Sequence, residues 1–201
     1  MESPVAIILL VFVISIFTSF GNKGYTPPPD TTAAPIGAIH QQVSVAEPDP
    51  TYFAVIGENA RSSIEKCVNS YRKNGYESAT IADSIMRHSQ AYNMNPKLVA
   101  ALIARESRFN PRATSSSGAM GLGQLLPSTA KGLGLDDPYD IDQNVKGTVR
   151  YMKSLVDRFS GKVSSAIAAY LEGPNAVKRQ GGFSSHSKAY VEDILVIYQK
   201  I

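Results

Sequence analysis

From Glu58 onward, apolar positions recur every three or four residues and predict a chain of helices. Glu58 to Lys73 forms a first amphipathic stretch closed by Asn74-Gly75, and Ser78 to Tyr92 forms a second. A third helix opens with Asn95 as N-cap and Pro96 in its first turn, and ends near Arg108 before Asn110-Pro111. Leu98, Val99, Leu102 and Ile103 make its apolar stripe. Leu122–Leu126 and Pro127–Gly132 read as short helical pieces, and Asp142 is placed to cap the next helix. There Val145, Val149, Met152, Val156 and Phe159 repeat at spacings of four and three. Val163, Ala166, Ile167 and Tyr170 give a further stripe, Pro174–Gln180 a short helix broken by Gly181-Gly182, and Tyr190, Val191, Ile194 and Tyr198 a terminal helix. No alternating strand run and no internal repeat interrupts this pattern, so the predicted class is all-α.

The first quarter of the chain follows a different pattern. Val5 to Phe20 is a run of sixteen residues without a charge. At about 1.5 Å per residue a helix of that length spans about 24 Å, short of the ~30 Å hydrocarbon core. Ser19 and Gly21 are small residues suited to a cleavage site, but no basic residue precedes the apolar run. Residues 1–21 therefore read as a signal peptide or an N-terminal membrane anchor. Residues 22–57 read as a Pro-rich flexible linker, because half of the twelve prolines fall between Pro27 and Pro50 among Thr, Ala and Asp. Residues 58–201 are left as one globular domain, long enough to bury a single core.

Composition narrows the function classes. A net charge of +3 with no basic run excludes a nucleic-acid-binding surface of the usual kind and is compatible with an anionic polymer. Cys67 is the only cysteine, so an intrachain disulfide and a lipoprotein attachment site are both excluded. It lies on a helix stripe with Ile64, Val68 and Tyr71, as a buried structural thiol would. His40, His88 and His186 are scattered, no His/Cys/Asp spacing asks for a metal, and no cofactor motif is present.

Candidate chemistry concentrates between Arg105 and Leu133, RESRFNPRATSSSGAMGLGQLLPSTAKGL. Glu106 falls three residues after Ile103 and four after Leu102, which extends the core-facing stripe. In that place its carboxyl loses hydration, its pKa rises, and it can deliver a proton near neutral pH. The same spacing also permits an outward turn at a frayed helix end, where Glu106 would pair with Arg105 or Arg108. Gly118, Gly121 and Gly123 then allow positive φ or close backbone approach, while Ser115, Ser116, Ser117 and Gln124 supply hydroxyls and an amide. Such a loop suits a polyhydroxylated ligand, and it is also what an ordinary Gly/Ser loop looks like.

From Glu106 to Ala130 the chain reads ES-x-FNP-x-A-x-S-x-x-GA-x-GL-x-QL-x-P-x-TA without a gap. This resembles the signature of the soluble lytic transglycosylases, peptidoglycan-cleaving enzymes. A second block of that family, A-A-Y-N-A-G-P, is partly matched by Ala168-Ala169-Tyr170-Leu171-Glu172-Gly173-Pro174. The resemblance spans roughly Tyr92 to Tyr190. It implies a lysozyme-like helical domain with a glycan-binding cleft, in which one glutamate, here Glu106, cleaves the MurNAc-β-1,4-GlcNAc bond and leaves 1,6-anhydro ends. Ser115 and Gln124 would contact the sugars, and Tyr170 would lie against Glu106 and help to position it.

By the same resemblance the partners are peptidoglycan glycan strands, with membrane contact through the N-terminal segment and support of an envelope secretion machinery as compatible roles. A monomer exported to the bacterial periplasm or cell envelope, without metal or cofactor, is expected. Related alternatives are a goose-type-lysozyme-like hydrolase of the same bond and a non-catalytic peptidoglycan-binding scaffold. Leu171 and Glu172 depart from the family's Asn and Ala. Glu172 is thus either a second acid-base group reaching the cleft or a solvated loop charge.

Overall fold

A computed structural model describes residues 50–179, 182 and 184–201, with side chains from Gly57 onward. The apolar segment 1–21 and residues 22–49 of the linker lie outside the described residues, as does Gly181. Eight helices are present among the described residues: α1 (Pro50–Arg72), α2 (Gly75–Ala91), α3 (Pro96–Ser107), α4 (Pro127–Gly132), α5 (Ile141–Arg158), α6 (Val163–Glu172), α7 (Pro174–Arg179) and α8 (Ser185–Lys200). Thus α1 begins at Pro50, ahead of the Glu58 suggested by the apolar pattern. Among the described residues only isolated β-bridges, Thr114 with Met120 and Met120 with Leu125, occur beside the helices. None of the described helices is long and apolar enough to cross a membrane.

The helix starts are set by short polar side chains that satisfy otherwise orphaned N–H groups. Asn74 accepts from Glu77 N at 3.3 Å, and Asn95 accepts from Lys97 N at 3.0 Å with Pro96 behind it. The cap of α5 is Asp140, which accepts from Gln143 N at 2.8 Å, and not Asp142 as its sequence position suggested. Asp142 instead accepts from Ser84 Oγ and pairs with His88 Nε2, each at 2.8 Å, with Arg87 at 3.4 Å. Burial works against its ionisation, but these partners outweigh it and hold the carboxyl below its ordinary range. The pair of α2 and α5 is thereby joined by a polar clasp on top of apolar packing.

The core consists of two clusters that meet at α3. Leu98, Ala101 and Leu102 pack with Met152 and Leu155 of α5, Ile167 of α6 and Ile194 of α8. Val99, Ala100, Ile103 and Ala104 pack with Ile64 of α1, Ile81 and Ile85 of α2, and Val145 and Val149 of α5. Leu98 to Ala104 are all buried, so α3 is enclosed on every side instead of carrying a single stripe. Its alanines let neighbouring helices approach closely, and the full burial makes α3 the fixed axis of the domain.

Between α3 and α4 the chain forms a compact loop paired to itself. Met120 and Leu125 exchange backbone hydrogen bonds at 2.9 and 3.0 Å, and Gly121 N donates to Ala113 O at 2.9 Å. Leu122–Leu126, expected as a helical piece, is a turn: Gly121 has φ +72° and Gln124 φ +49°, values that end a right-handed helix. Close approach explains the glycines. A Cβ at Gly123 would lie 1.9 Å from Thr148 Oγ1, and one at Gly121 would lie 2.4 Å from Pro138 O.

Gly121 and Gly134 have the same φ of +72°, yet no atom lies within 4 Å of a Cβ at Gly134. Equilibrium urea denaturation is therefore expected to show a loss of about 1 kcal/mol for Gly134→Ala, from backbone strain alone. Gly121→Ala is expected to lose about 2–4 kcal/mol, because overpacking adds to the same strain.

Candidate active site

Glu106 lies in the last turn of α3, just beyond the enclosed segment. The helix ends abruptly because Arg108 and Phe109 both adopt the left-handed conformation, at φ 53° and 58°. Phe109 is fully buried and meets Tyr71 edge-on at 5.5 Å, which holds this strained exit in place. Glu106 is half-buried, sheltered from bulk water yet accessible at one side. Its Oε1 accepts a hydrogen bond from the hydroxyl of Tyr190 on α8.

The outward placement of Glu106 is not adopted. Arg105 Nε donates to Asp193 Oδ2 at 3.0 Å, and its guanidinium lies 5.3 Å from the centre of the Tyr190 ring. Arg108 lies over Tyr71 at 5.9 Å. Burial pushes the Glu106 carboxyl above the ordinary carboxylate range, while the Tyr190 hydrogen bond and the Arg105 charge draw it partly back. Burial and the neighbouring carboxylate push the Tyr190 phenol far upward, so it remains a hydrogen-bond donor. The groups that shift Glu106 are thus a phenol and a guanidinium, and no second carboxylate is among them.

The loop after α3 is fastened from below by α5. Asn144 is buried; its Oδ1 accepts from Gly123 N at 2.8 Å, and its Nδ2 donates to Met120 O at 3.1 Å and Pro138 O at 2.6 Å. From the other side, the Tyr170 hydroxyl of α6 donates to Gly123 O at 2.7 Å. Both polar groups of the Gly123 peptide region are therefore paired to side chains, as buried backbone requires. Burial pushes the Tyr170 hydroxyl well above its ordinary range, with the charge of Glu106 adding to the shift.

The residues singled out from the sequence come together around this loop in distinct ways. Ser115 is half-buried; its Oγ accepts from Ala119 N at 3.0 Å and lies 2.9 Å from Ser117 Oγ. Gln124 spends its side-chain amide on Ala113 O at 3.2 Å and Gly121 O at 3.0 Å. Tyr170 is near enough to Glu106 to feel its charge, but its hydroxyl hydrogen bond goes to the loop; the phenol bonded to Glu106 is Tyr190. Glu172 is half-buried and accepts from Ser184 Oγ, so it is not a solvated loop charge.

Three contributors escaped the sequence reading. Tyr190 was visible only as a member of an apolar stripe, although a phenol on such a stripe needs a partner. Asn144 and Thr148 are buried polar residues four apart on α5, and that spacing marks one helix face. Among the described residues no group of three or more His, Cys, Asp or Glu side chains is disposed to hold a metal.

The protein-family comparison matches residues 83–192, more than half the chain, to the Transglycosylase SLT domain. A transglycosylase of Enterobacteria phage PRD1 is 42% identical over 108 residues, covering 54% of this chain and 39% of the phage protein. The membrane-bound lytic murein transglycosylase F of Vibrio cholerae is 36% identical over 80 residues, covering 37% of this chain and 15% of that protein. The matched region therefore spans well under half the length of these relatives. Among solved structures, the 70 kDa soluble lytic transglycosylase of Escherichia coli superposes with a TM-score of 0.55 at 20% identity, over 74% of this chain and 29% of that one. An inactive mutant of lytic transglycosylase Slt from Pseudomonas aeruginosa gives 0.54 at 24% identity, over 59% and 24%. At these identities the superpositions show a common helical fold.

Because the folded carboxyl of Glu106 holds its proton more tightly than an unfolded one, its favourable contribution is complete below the ordinary value of 4.5 and is lost as pH rises through the folded value. Glu106→Gln is accordingly expected to melt at a higher temperature than the wild type at pH 7, with the difference vanishing near pH 4. Tyr190→Phe removes a hydrogen bond to the ionised form. A 13C-NMR titration of the Glu106 carboxyl is expected to move upward in that variant.

Proposed function

Because the chain belongs to the Transglycosylase SLT domain family, we propose that it is a peptidoglycan lytic transglycosylase that cleaves the MurNAc-β-1,4-GlcNAc bond by non-hydrolytic ring closure. The observation that carries this reading is the carboxyl of Glu106 at the end of α3, whose pKa burial raises and whose hydrogen-bonding partner is the Tyr190 phenol.

In the proposed reaction Glu106, protonated, gives its proton to the bridging oxygen. The C1–O bond breaks, and its electron pair leaves with the GlcNAc hydroxyl. The substrate's N-acetyl carbonyl stabilises the anomeric carbon. The Glu106 carboxylate then takes the proton from the MurNAc C6 hydroxyl as O6 bonds to C1, which restores the acid and yields a 1,6-anhydro end. One group serves as acid and then as base, so a proton affinity raised by burial and drawn partly back by the Tyr190 hydrogen bond suits both halves. The attacking hydroxyl belongs to the substrate, so proximity replaces an activated water.

Ser115 and Gln124 are proposed to contact the sugars, with their internal hydrogen bonds setting their orientation. Tyr170 is proposed to act beside them by holding the Gly123 peptide under the substrate. Residues 1–21 would direct export or anchor the chain, and the linker ahead of α1, residues 22–49, would let the domain reach the wall in the periplasm or cell envelope. Wall remodelling fits this disposition.

Incubation of purified peptidoglycan with the full chain is expected to release soluble 1,6-anhydro muropeptides. Glu106→Gln is expected to lower that release by at least about a hundredfold. Reducing ends as the main product would replace this reading with a goose-type-lysozyme-like hydrolase, and binding without release would replace it with a scaffold.

A further inference from the structure

The second sequence block, residues 168–174, carries Leu171-Glu172 just before Gly173, which turns the chain at φ 83°. Glu172 is the last residue of α6, two beyond the tyrosine that fastens the loop. Its Oε1 accepts from the hydroxyl of Ser184, and its Oε2 is buried with no partner among the described residues. A buried carboxylate oxygen left unpaired costs stability. The Ser184 contact is therefore kept at an energetic cost.

Ser184 is the N-cap of α8, and its Oγ accepts from Ser187 N at 3.2 Å. Donation of the hydroxyl proton to Glu172 leaves the lone pairs of Oγ aimed at the helix, so the cap has one orientation instead of several. A carboxylate just ahead of this sixteen-residue helix also complements its dipole. Tyr190 lies six residues further on, about 9 Å along the axis, and its hydroxyl is the one bonded to Glu106. The side chains facing Glu106 are Tyr190 from α8, Arg105 of its own helix, itself paired to Asp193 of α8, and Tyr170 from α6. Two of these three side chains belong to α8 or to the end of α6 that carries Glu172, and the third, Arg105, is paired to α8.

We propose that Glu172 is a positioning residue for the reaction: through Ser184 it fixes the start of α8, and through α8 it fixes the Tyr190 hydroxyl on Glu106. It touches no reacting atom and is neither a second acid-base group nor a solvated charge. The proposal rests on the reading of Glu106 as the acid. The Glu172–Ser184 contact is thus a clasp between the α6 end and the helix bearing the second tyrosine.

The test reads Glu106 directly. The 13C titration midpoint of its carboxyl is followed in wild type, Glu172→Ala, Glu172→Gln, Ser184→Ala and the Glu172→Ala/Ser184→Ala double variant, with Tyr190→Phe as the reference for a lost hydrogen bond. Glu172→Ala and Ser184→Ala are expected to move the midpoint upward, toward Tyr190→Phe. The double variant is expected to move it no further than either single change. Glu172→Gln keeps an acceptor for Ser184 and is expected to remain near wild type.

On peptidoglycan the same Ala variants are expected to lower kcat about threefold to tenfold with KM little changed, and to shift the alkaline limb of the rate upward. A Glu172→Ala protein that melts earlier but titrates like wild type would overturn the proposal, as would additive shifts in the double variant. If Glu172→Ala does not fold, Ser184→Ala and Glu172→Gln decide by the same titration. A wild type that releases no sugar would sink the transglycosylase reading, and the titration would still decide the positioning role.

Discussion

A hydrogen bond between the Tyr190 hydroxyl and the Glu106 carboxyl, across 84 residues of sequence, is the contact around which the domain is arranged. A carboxyl at the margin of an apolar core is costly to ionise. The cost is tolerable because a phenol and a guanidinium stand beside it. Both depend on α8 docking against α3: Tyr190 is part of α8, and Arg105 is held there by Asp193. If the two helices slid apart, Glu106 would lose its donor and its shelter together. Stability of that helix pair and proton affinity of the acid are therefore one property.

Rigidity of the site follows from what lies behind it. α3 is buried all round from Leu98 to Ala104, so the turn bearing Glu106 projects from a fixed axis. Two consecutive left-handed residues then bend the chain sharply into the loop, and the burial of Phe109 offsets their strain. The loop would be an ordinary surface turn without Asn144. With three hydrogen bonds from one buried amide, and the Tyr170 hydroxyl on Gly123 O, its backbone is held at several points. Satisfied buried polar networks of this kind specify one arrangement more than they add stability.

The proposed reaction would need few protein groups, because the substrate would supply its own nucleophile. The protein's task would then reduce to tuning one proton affinity and presenting a shaped, partly dry surface. This economy makes positioning contacts matter more than extra functional groups. Glu172 illustrates the point. As a sequence letter it reads either as a second acid-base group or as a solvated loop charge, but in place it faces the cap of α8.

The helical class, the N-cap at Asn95 with Pro96 in the first turn, and Glu106 as the carboxyl to examine were legible in the sequence, while its inward placement was left open. They depend on local periodicity and on side chains that bond within one turn. The Glu106–Ala130 motif likewise lay in one continuous segment. Tertiary structure alone decided which phenol meets Glu106, because Tyr170 and Tyr190 sit on equally apolar stripes and differ only in which helix docks where. It also decided that Asp140 rather than Asp142 caps α5, since His88 and Ser84 of α2 draw Asp142 away. That α3 is enclosed instead of half-exposed was hidden for the same reason. Periodicity reports the face a helix must bury, whereas the number of neighbours that bury it is set by how the remote segments pack.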